Sequence, residues 1–97
     1  MQVFGSMHTQ LIPCANNGNA DVDFDSVVST EKLFKITPTQ DVYVKFTPKS
    51  NTDVADNTDY FIPANQDREF TLGRALDRLV VRNESGSVAN IHVAILY

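Results

Sequence analysis

The sequence predicts an all-β domain, an antiparallel β-sandwich or jelly-roll-like small barrel. Three observations predict it. Apolar residues recur with period 2 in several stretches, most clearly at Ile91, Val93, Ile95 and Tyr97 and at Val42, Val44 and Phe46, which is the pattern of strands with one buried face. Turn-forming residues separate these stretches every 8–12 residues or so, the spacing of a sandwich or barrel. Strands do not alternate with long helical patterns, so a parallel α/β sheet is not expected.

The elements follow in order. Residues 2–12 mix Val3, Phe4, Leu11 and Ile12 with polar residues and read as one or two short strands. Pro13 should break the pattern, because it lacks a ladder donor. Asn16-Asn17-Gly18-Asn19 is a turn, since Asn and Gly accept positive φ at little cost. Asp21-Val22-Asp23-Phe24-Asp25 alternates with Val22 and Phe24 inward, and Val27 and Val28 extend it. After a second turn at 29–32, Leu33-Phe34-Lys35-Ile36 is a short strand stopped by Pro38. Residues 41–46 make the clearest internal strand, rich in the β-branched and aromatic types that suit a half-buried pleat.

Residues 49–59 are the longest polar stretch, with only Val54 and Ala55 apolar, and read as a surface loop of the kind used for contacts. Tyr60-Phe61-Ile62 is a short strand, 64–67 a turn, and 68–72 a strand ending at Gly73. Leu79-Val80-Val81 is another strand core, followed by the hairpin loop 83–87 and the terminal strand. A short helix within 67–79, with Phe70, Leu76, Leu79 and Val80 on one face, is the competing reading there. Gly73 would cost such a helix about 1 kcal/mol relative to Ala.

Ninety-seven residues, 42% hydrophobic and 21% charged, describe one globular domain, 1–97. Such a chain buries roughly 60–70% of its unfolded surface. The formal charge of −4 argues against nucleic-acid binding, which needs clustered Lys and Arg. Lysines fall in the first half and arginines in the second, each accompanied by acids. The amino terminus has no basic segment and no long apolar core, so no signal peptide is expected, and no apolar run approaches a membrane span. Cys14 is the only cysteine, so no internal disulfide forms, and a small, partly buried thiol is its expected role.

Chemical motifs fail one by one. Asp21, Asp23 and Asp25 suggest a calcium loop, but its sixth and twelfth positions fall on Ser26 and Lys32 instead of Gly and Glu. His8, Cys14 and His92 are the whole supply of nitrogen and sulfur ligands for zinc and lack ligand spacing. The four glycines, at 5, 18, 73 and 86, form no phosphate loop, and no nucleophile elbow is present. Asn83-Glu84-Ser85 fits the glycosylation pattern and is better explained by turn chemistry. Tyr43 and Tyr60 offer aromatic surface for a sugar, although the chain lacks Trp. No catalytic, cofactor or metal residue is therefore expected, and the protein is read as a non-enzymatic binding or assembly unit.

The stretches 61–73 (FIPANQDREFTLG) and 79–93 (LVVRNESGSVANIHV) resemble small β-rich virion proteins of tailed bacteriophages. The shared pattern is a strand ending in Pro, a polar turn, a strand, then a Ser-Gly hairpin into a terminal strand. The resemblance covers about the second half of the chain. It implies a capsid decoration (cement) protein on the capsid exterior, made in the host cytoplasm. Its partner would be the major capsid protein or another virion subunit, and it would form a homo-oligomer, commonly a trimer at local threefold axes. A receptor- or carbohydrate-binding β-module of a phage tail is the alternative. Contacts are expected from 49–59, with Asp53, Asp56 and Asp59 as test positions, from the 16–19 turn and from the amino-terminal segment.

Overall fold

The computed structural model describes residues 8–23, 32–48, 51–72, 76 and 78–95. Eight strands run through them: β1 (His8–Cys14), β2 (Gly18–Asp23), β3 (Lys32–Pro38), β4 (Val42–Thr47), β5 (Tyr60–Ile62), β6 (Arg68–Leu72), β7 (Arg78–Asn83) and β8 (Ala89–Ile95). They form two four-stranded sheets, ordered β1-β8-β3-β6 and β2-β7-β4-β5. β1 pairs β8, β2 pairs β7, β3 pairs β6 and β4 pairs β5, all antiparallel. This is the pairing of one long hairpin, folded at the β4–β5 connection and rolled so that successive pairs alternate between sheets. The rolled contacts β8–β3 and β7–β4 complete each sheet. The architecture is the double-sheet jelly roll.

The strands expected on either side of Gly73 form, and one expectation, the break at Pro13, changes. The described residues of 67–79 carry β6 and the start of β7, not a helix. Strand alternation wins because Phe70 pairs with Phe34 across β6–β3 and Leu79 with Phe46 across β7–β4, which buries both on the inner side. Pro13 lies inside β1, whereas β3 ends at Pro38 as expected. Pro13 stands opposite Asn90, whose carbonyl accepts from Thr39 N (3.0 Å) and whose N–H donates to Thr39 Oγ1 (2.9 Å). Asn90 therefore directs both backbone groups away from β1, and the ladder asks nothing of Pro13. The Pro38 carbonyl likewise points away from β8 and accepts from Asn65 N (2.7 Å), past the end of the β3–β6 ladder. The expected extension through Phe24, Val27 and Val28, strands before His8, and Tyr97 fall outside the described residues.

Period-2 alternation sorts the core. Ile12, Cys14, Phe34, Ile36, Ile91 and Val93 face inward from the first sheet; Val42, Val44, Ile62, Leu79 and Val81 meet them from the second. Each large aliphatic or aromatic side chain so buried contributes about 1.5–3 kcal/mol relative to exposure. Phe34, Phe46, Phe70 and Tyr60 form a chain of rings with centroids 6.0, 5.1 and 5.4 Å apart. Phe34 and Phe70 belong to one sheet, Phe46 and Tyr60 to the other, so the rings stitch the layers together toward the β5 and β6 edges.

The β1–β2, β3–β4, β5–β6 and β7–β8 connections gather at one end. Asn17 (φ 60°) and Asn65 (φ 61°) adopt left-handed backbone there, as does Gly86 (φ 95°). Short polar side chains and Gly tolerate that region, and β-branched residues do not. Asn83 is fully buried beneath these turns.

Candidate functional site

The register builds the outer face of the second sheet row by row. Asn19, Arg82, Tyr43 and Phe61 form the first row across β2, β7, β4 and β5. Asp21, Val80 and Lys45 form the next, and Asp23, Arg78 and Thr47 the third. Residues 51–59 fold back over this face as a strap. Ala55 N donates to Asn19 Oδ1 (2.9 Å), Arg78 Nη1 to the Asp53 carbonyl (3.0 Å), and Lys45 Nζ lies 3.6 Å from Asp53 Oδ2. Val80 faces outward in the register yet is only 1% exposed, and Ala55 is also buried. The polar loop is thus pinned to the β2 edge and to the central strands β7 and β4, and its two apolar residues divide: Ala55 is sealed in and Val54 is exposed.

What stays open is the far end of the first row. The Tyr43 and Phe61 rings pack 5.4 Å apart and 49° tilted, and Phe61 is 43% exposed. Arg82 flanks Tyr43, held by Glu84 Oε2 (3.0 Å) and the Asn17 carbonyl (3.0 Å). A half-open aromatic pair on a sheet, flanked by fixed polar groups, presents apolar area at low entropic cost. This suits docking through a packed anchor. Tyr60, 51% exposed, lies on the inner side of the same strand and packs edge-on against Phe70. Tyr43 and Tyr60 therefore do not form one platform; the partner of Tyr43 is Phe61. Strand alternation held that signal, since adjacent residues of β5 must point to opposite faces, but the pairing of β5 with β4 was needed to use it.

The acidic strap residues are engaged locally. Asp56 Oδ1 accepts from Thr58 N (2.9 Å) and Thr58 Oγ1 (2.5 Å), and Asp59 Oδ2 accepts from Asp56 N (2.9 Å). The Thr58 hydroxyl, then its N–H, holds the Asp56 carboxyl below its usual value. On the outer face of the first sheet, Asp67 accepts from Thr37 Oγ1 (2.6 Å) and pairs with Lys35 Nζ (3.1 Å). The Thr37 hydroxyl and then Lys35 lower its pKa.

The residues considered for metals are dispersed. Asp21 bonds Arg78 Nε at 3.0 Å, and Asp25 lies outside the described residues. Cys14 faces the interior, whereas His92 is exposed on the opposite face of the same sheet. Among the described residues no three His, Cys, Asp or Glu side chains gather as a metal site. The Cys14 thiol donates toward the Gly18 (3.5 Å) and Val81 (3.7 Å) carbonyls, and burial raises its pKa. Asn83 of the glycosylation pattern is sealed in the interior. Its Nδ2 donates to the Cys14 (3.0 Å) and Ser87 (2.7 Å) carbonyls, and its Oδ1 accepts from Ser85 N (3.0 Å). An acceptor so enclosed presents no amide to a glycosylating enzyme.

Comparison with protein-family models, curated proteins and solved structures finds no significant match to this chain.

Proposed function

We propose that this chain is a non-enzymatic virion structural protein, a decoration protein that docks on the outside of a capsid shell and bridges neighbouring subunits. The observation that carries the reading is the half-open Tyr43–Phe61 pair, standing on a strap-braced sheet. An anchor already fixed in place loses little freedom on docking. Two further points support it. The eight-strand double-sheet roll is an architecture used by viral capsid and lectin domains, although fold by itself does not assign function. The residues of the phage-protein resemblance, 61–73 and 79–93, include Phe61 and the rigid Asn83 turn beneath Arg82. The partner is the major capsid protein or another virion subunit. Many weak contacts repeated over a shell sum to firm attachment.

Co-sedimentation with intact capsid shells of tailed bacteriophages tests the reading. The native chain is expected to pellet with shells, and Phe61→Ala to lose at least about tenfold in affinity, the scale of a hot-spot truncation. Failure of the native chain to bind shells overturns it. A tail-borne glycan-binding module is the second reading, favoured by the same aromatic pair lying beside Arg82 and Asn19, a pairing of apolar face and polar rim that suits a sugar. Glycan-array binding that Phe61→Ala abolishes would select it.

A further inference from the structure

We propose that the free edge of β1 is a self-pairing edge, which joins two copies of this chain about a two-fold axis through Gln10. Among the described residues four strands are edges: β1 and β6 in one sheet, β2 and β5 in the other. Proteins blunt such edges with charge, brevity or proline. β2 carries Asp21 and Asp23, β6 carries Arg68 and Glu69, and β5 is three residues long and stops at Pro63. β1 is seven residues long, holds no Asp, Glu, Lys or Arg, and carries its one proline, Pro13, next to its end. Among the described residues no strand pairs with its outer side.

The backbone direction is fixed by Asn90. Both of its main-chain groups turn to Thr39, so in the alternation of β8 it is Ala89, Ile91, Val93 and Ile95 that bond to β1. Their partners are Cys14, Ile12, Gln10 and His8. Thr9 and Leu11 consequently present N–H and C=O to the open side, and Pro13 presents a carbonyl only. Placing Leu11 opposite its own copy would set Thr9 against Pro13, which cannot donate. Placing Thr9 opposite Leu11 of the copy, and Leu11 opposite its Thr9, exchanges both bonds at each pair and leaves Pro13 beyond the ladder. That register is its own image under a two-fold rotation. A partner identical to the chain therefore satisfies the outward groups of Thr9 and Leu11.

Charge points the same way. Two copies of a chain with net charge −4 repel, and β1 is the long edge along which no carboxylate of one copy faces one of the other. Leu11, 52% exposed on the outer face, comes to lie beside the copy's strand and gains cover. The contact is small against the ~1,000 Å² of a stable interface. Association is therefore weak, of a strength that matters where copies are concentrated on a surface.

The test uses the purified native chain with no shell present, so its failure leaves the shell-docking reading standing. Translational diffusion is measured by NMR up to about 1 mM, with amide exchange at each residue. Diffusion is expected to slow with concentration. Thr9 and Leu11 amides should gain protection as it does, while Gln10 and Ile12, bonded to β8, are protected throughout. Leu11→Pro removes only an outward N–H, and Leu11→Lys places a charge on an exposed site. Each should leave the chain monomeric, raising the dissociation constant at least about tenfold. Leu11→Lys carries the test if Leu11→Pro does not fold. Concentration-independent diffusion of the native chain overturns the proposal. So does association that both folded variants retain, or association without protection of Thr9 and Leu11.

Discussion

Arg78 donates through Nε to Asp21 Oδ2 at 3.0 Å, and this contact fastens a nearly buried cation to an exposed carboxylate two residues off its register partner. The same guanidinium reaches Thr47 Oγ1 (3.3 Å) and the Asp53 carbonyl (3.0 Å) through Nη1. One side chain thereby ties β2, β7, β4 and the strap. Arg78→Met keeps the aliphatic stem but leaves the Asp53 carbonyl without its donor. A loss of about 1–3 kcal/mol is expected in urea unfolding, with Ala55 amide exchange accelerated as the strap loosens. An unchanged midpoint would show the guanidinium to be dispensable.

Asn83 should be the costliest polar truncation. Asn83→Ala takes the side-chain partner from the Cys14 carbonyl and the Ser85 N–H, while the Ser87 carbonyl keeps only the Ser85 hydroxyl. A destabilisation of about 1–3 kcal/mol follows, chiefly from the buried Cys14 carbonyl left without that donor. Thermal unfolding measures it, and the expected fall in Tm exceeds that for Asn65→Gly. At Asn65 the backbone is left-handed and glycine adopts it freely, so that change stays within about 0.5 kcal/mol.

Asp67 links stability to acid. Its folded pKa lies below the ordinary 3.8, chiefly through the Thr37 hydroxyl. The contribution is therefore full above 3.8 and is lost as pH falls through the lower folded value. Thr37→Val should raise the Asp67 pKa toward 3.8 in a carboxyl-carbon NMR titration and remove its share of the acid sensitivity. A titration curve identical to that of the native chain would contradict the assignment to Thr37.

Cys14 should be inert while the fold persists. The thiol is 1% exposed and its pKa is raised by burial. Alkylation in native buffer should run on the order of 10³-fold slower than in denaturant or more, since it waits on opening. The linkage has the opposite sense to that of Asp67. The unfolded thiol ionises first, near 9.0, so this contribution is full below 9.0 and fades as pH rises toward the folded value. Rapid native labelling would place the thiol at the surface.

Several parts of the fold were legible before any coordinates. Val42, Val44 and Phe46, and Ile91 and Val93, alternate so regularly that burying one face of each was the only economical use of them. The turns at 16–19 and 83–87 were equally plain from their Asn, Ser and Gly residues. Pro38 does end β3, but Pro13 misled, because a proline breaks a strand only if the ladder needs its N–H. Whether it does depends on which neighbour lies on that side. Phe61 was similarly hidden: alternation sets it apart from Tyr60, but its exposure follows from pairing with Tyr43 on the face that the strap leaves uncovered.

The sequence by itself determined an all-β chain with alternating faces, the places of its turns, and an acidic surface. Those are local properties, set by side-chain period and backbone preference within a few residues. Only the tertiary structure decided that the strands roll into pairs 1–8, 2–7, 3–6 and 4–5, that the polar loop becomes a strap over Val80, and that no described strand pairs with the outer side of β1. These depend on contacts between residues dozens of positions apart, and no local preference encodes which distant strand will supply the missing hydrogen bonds.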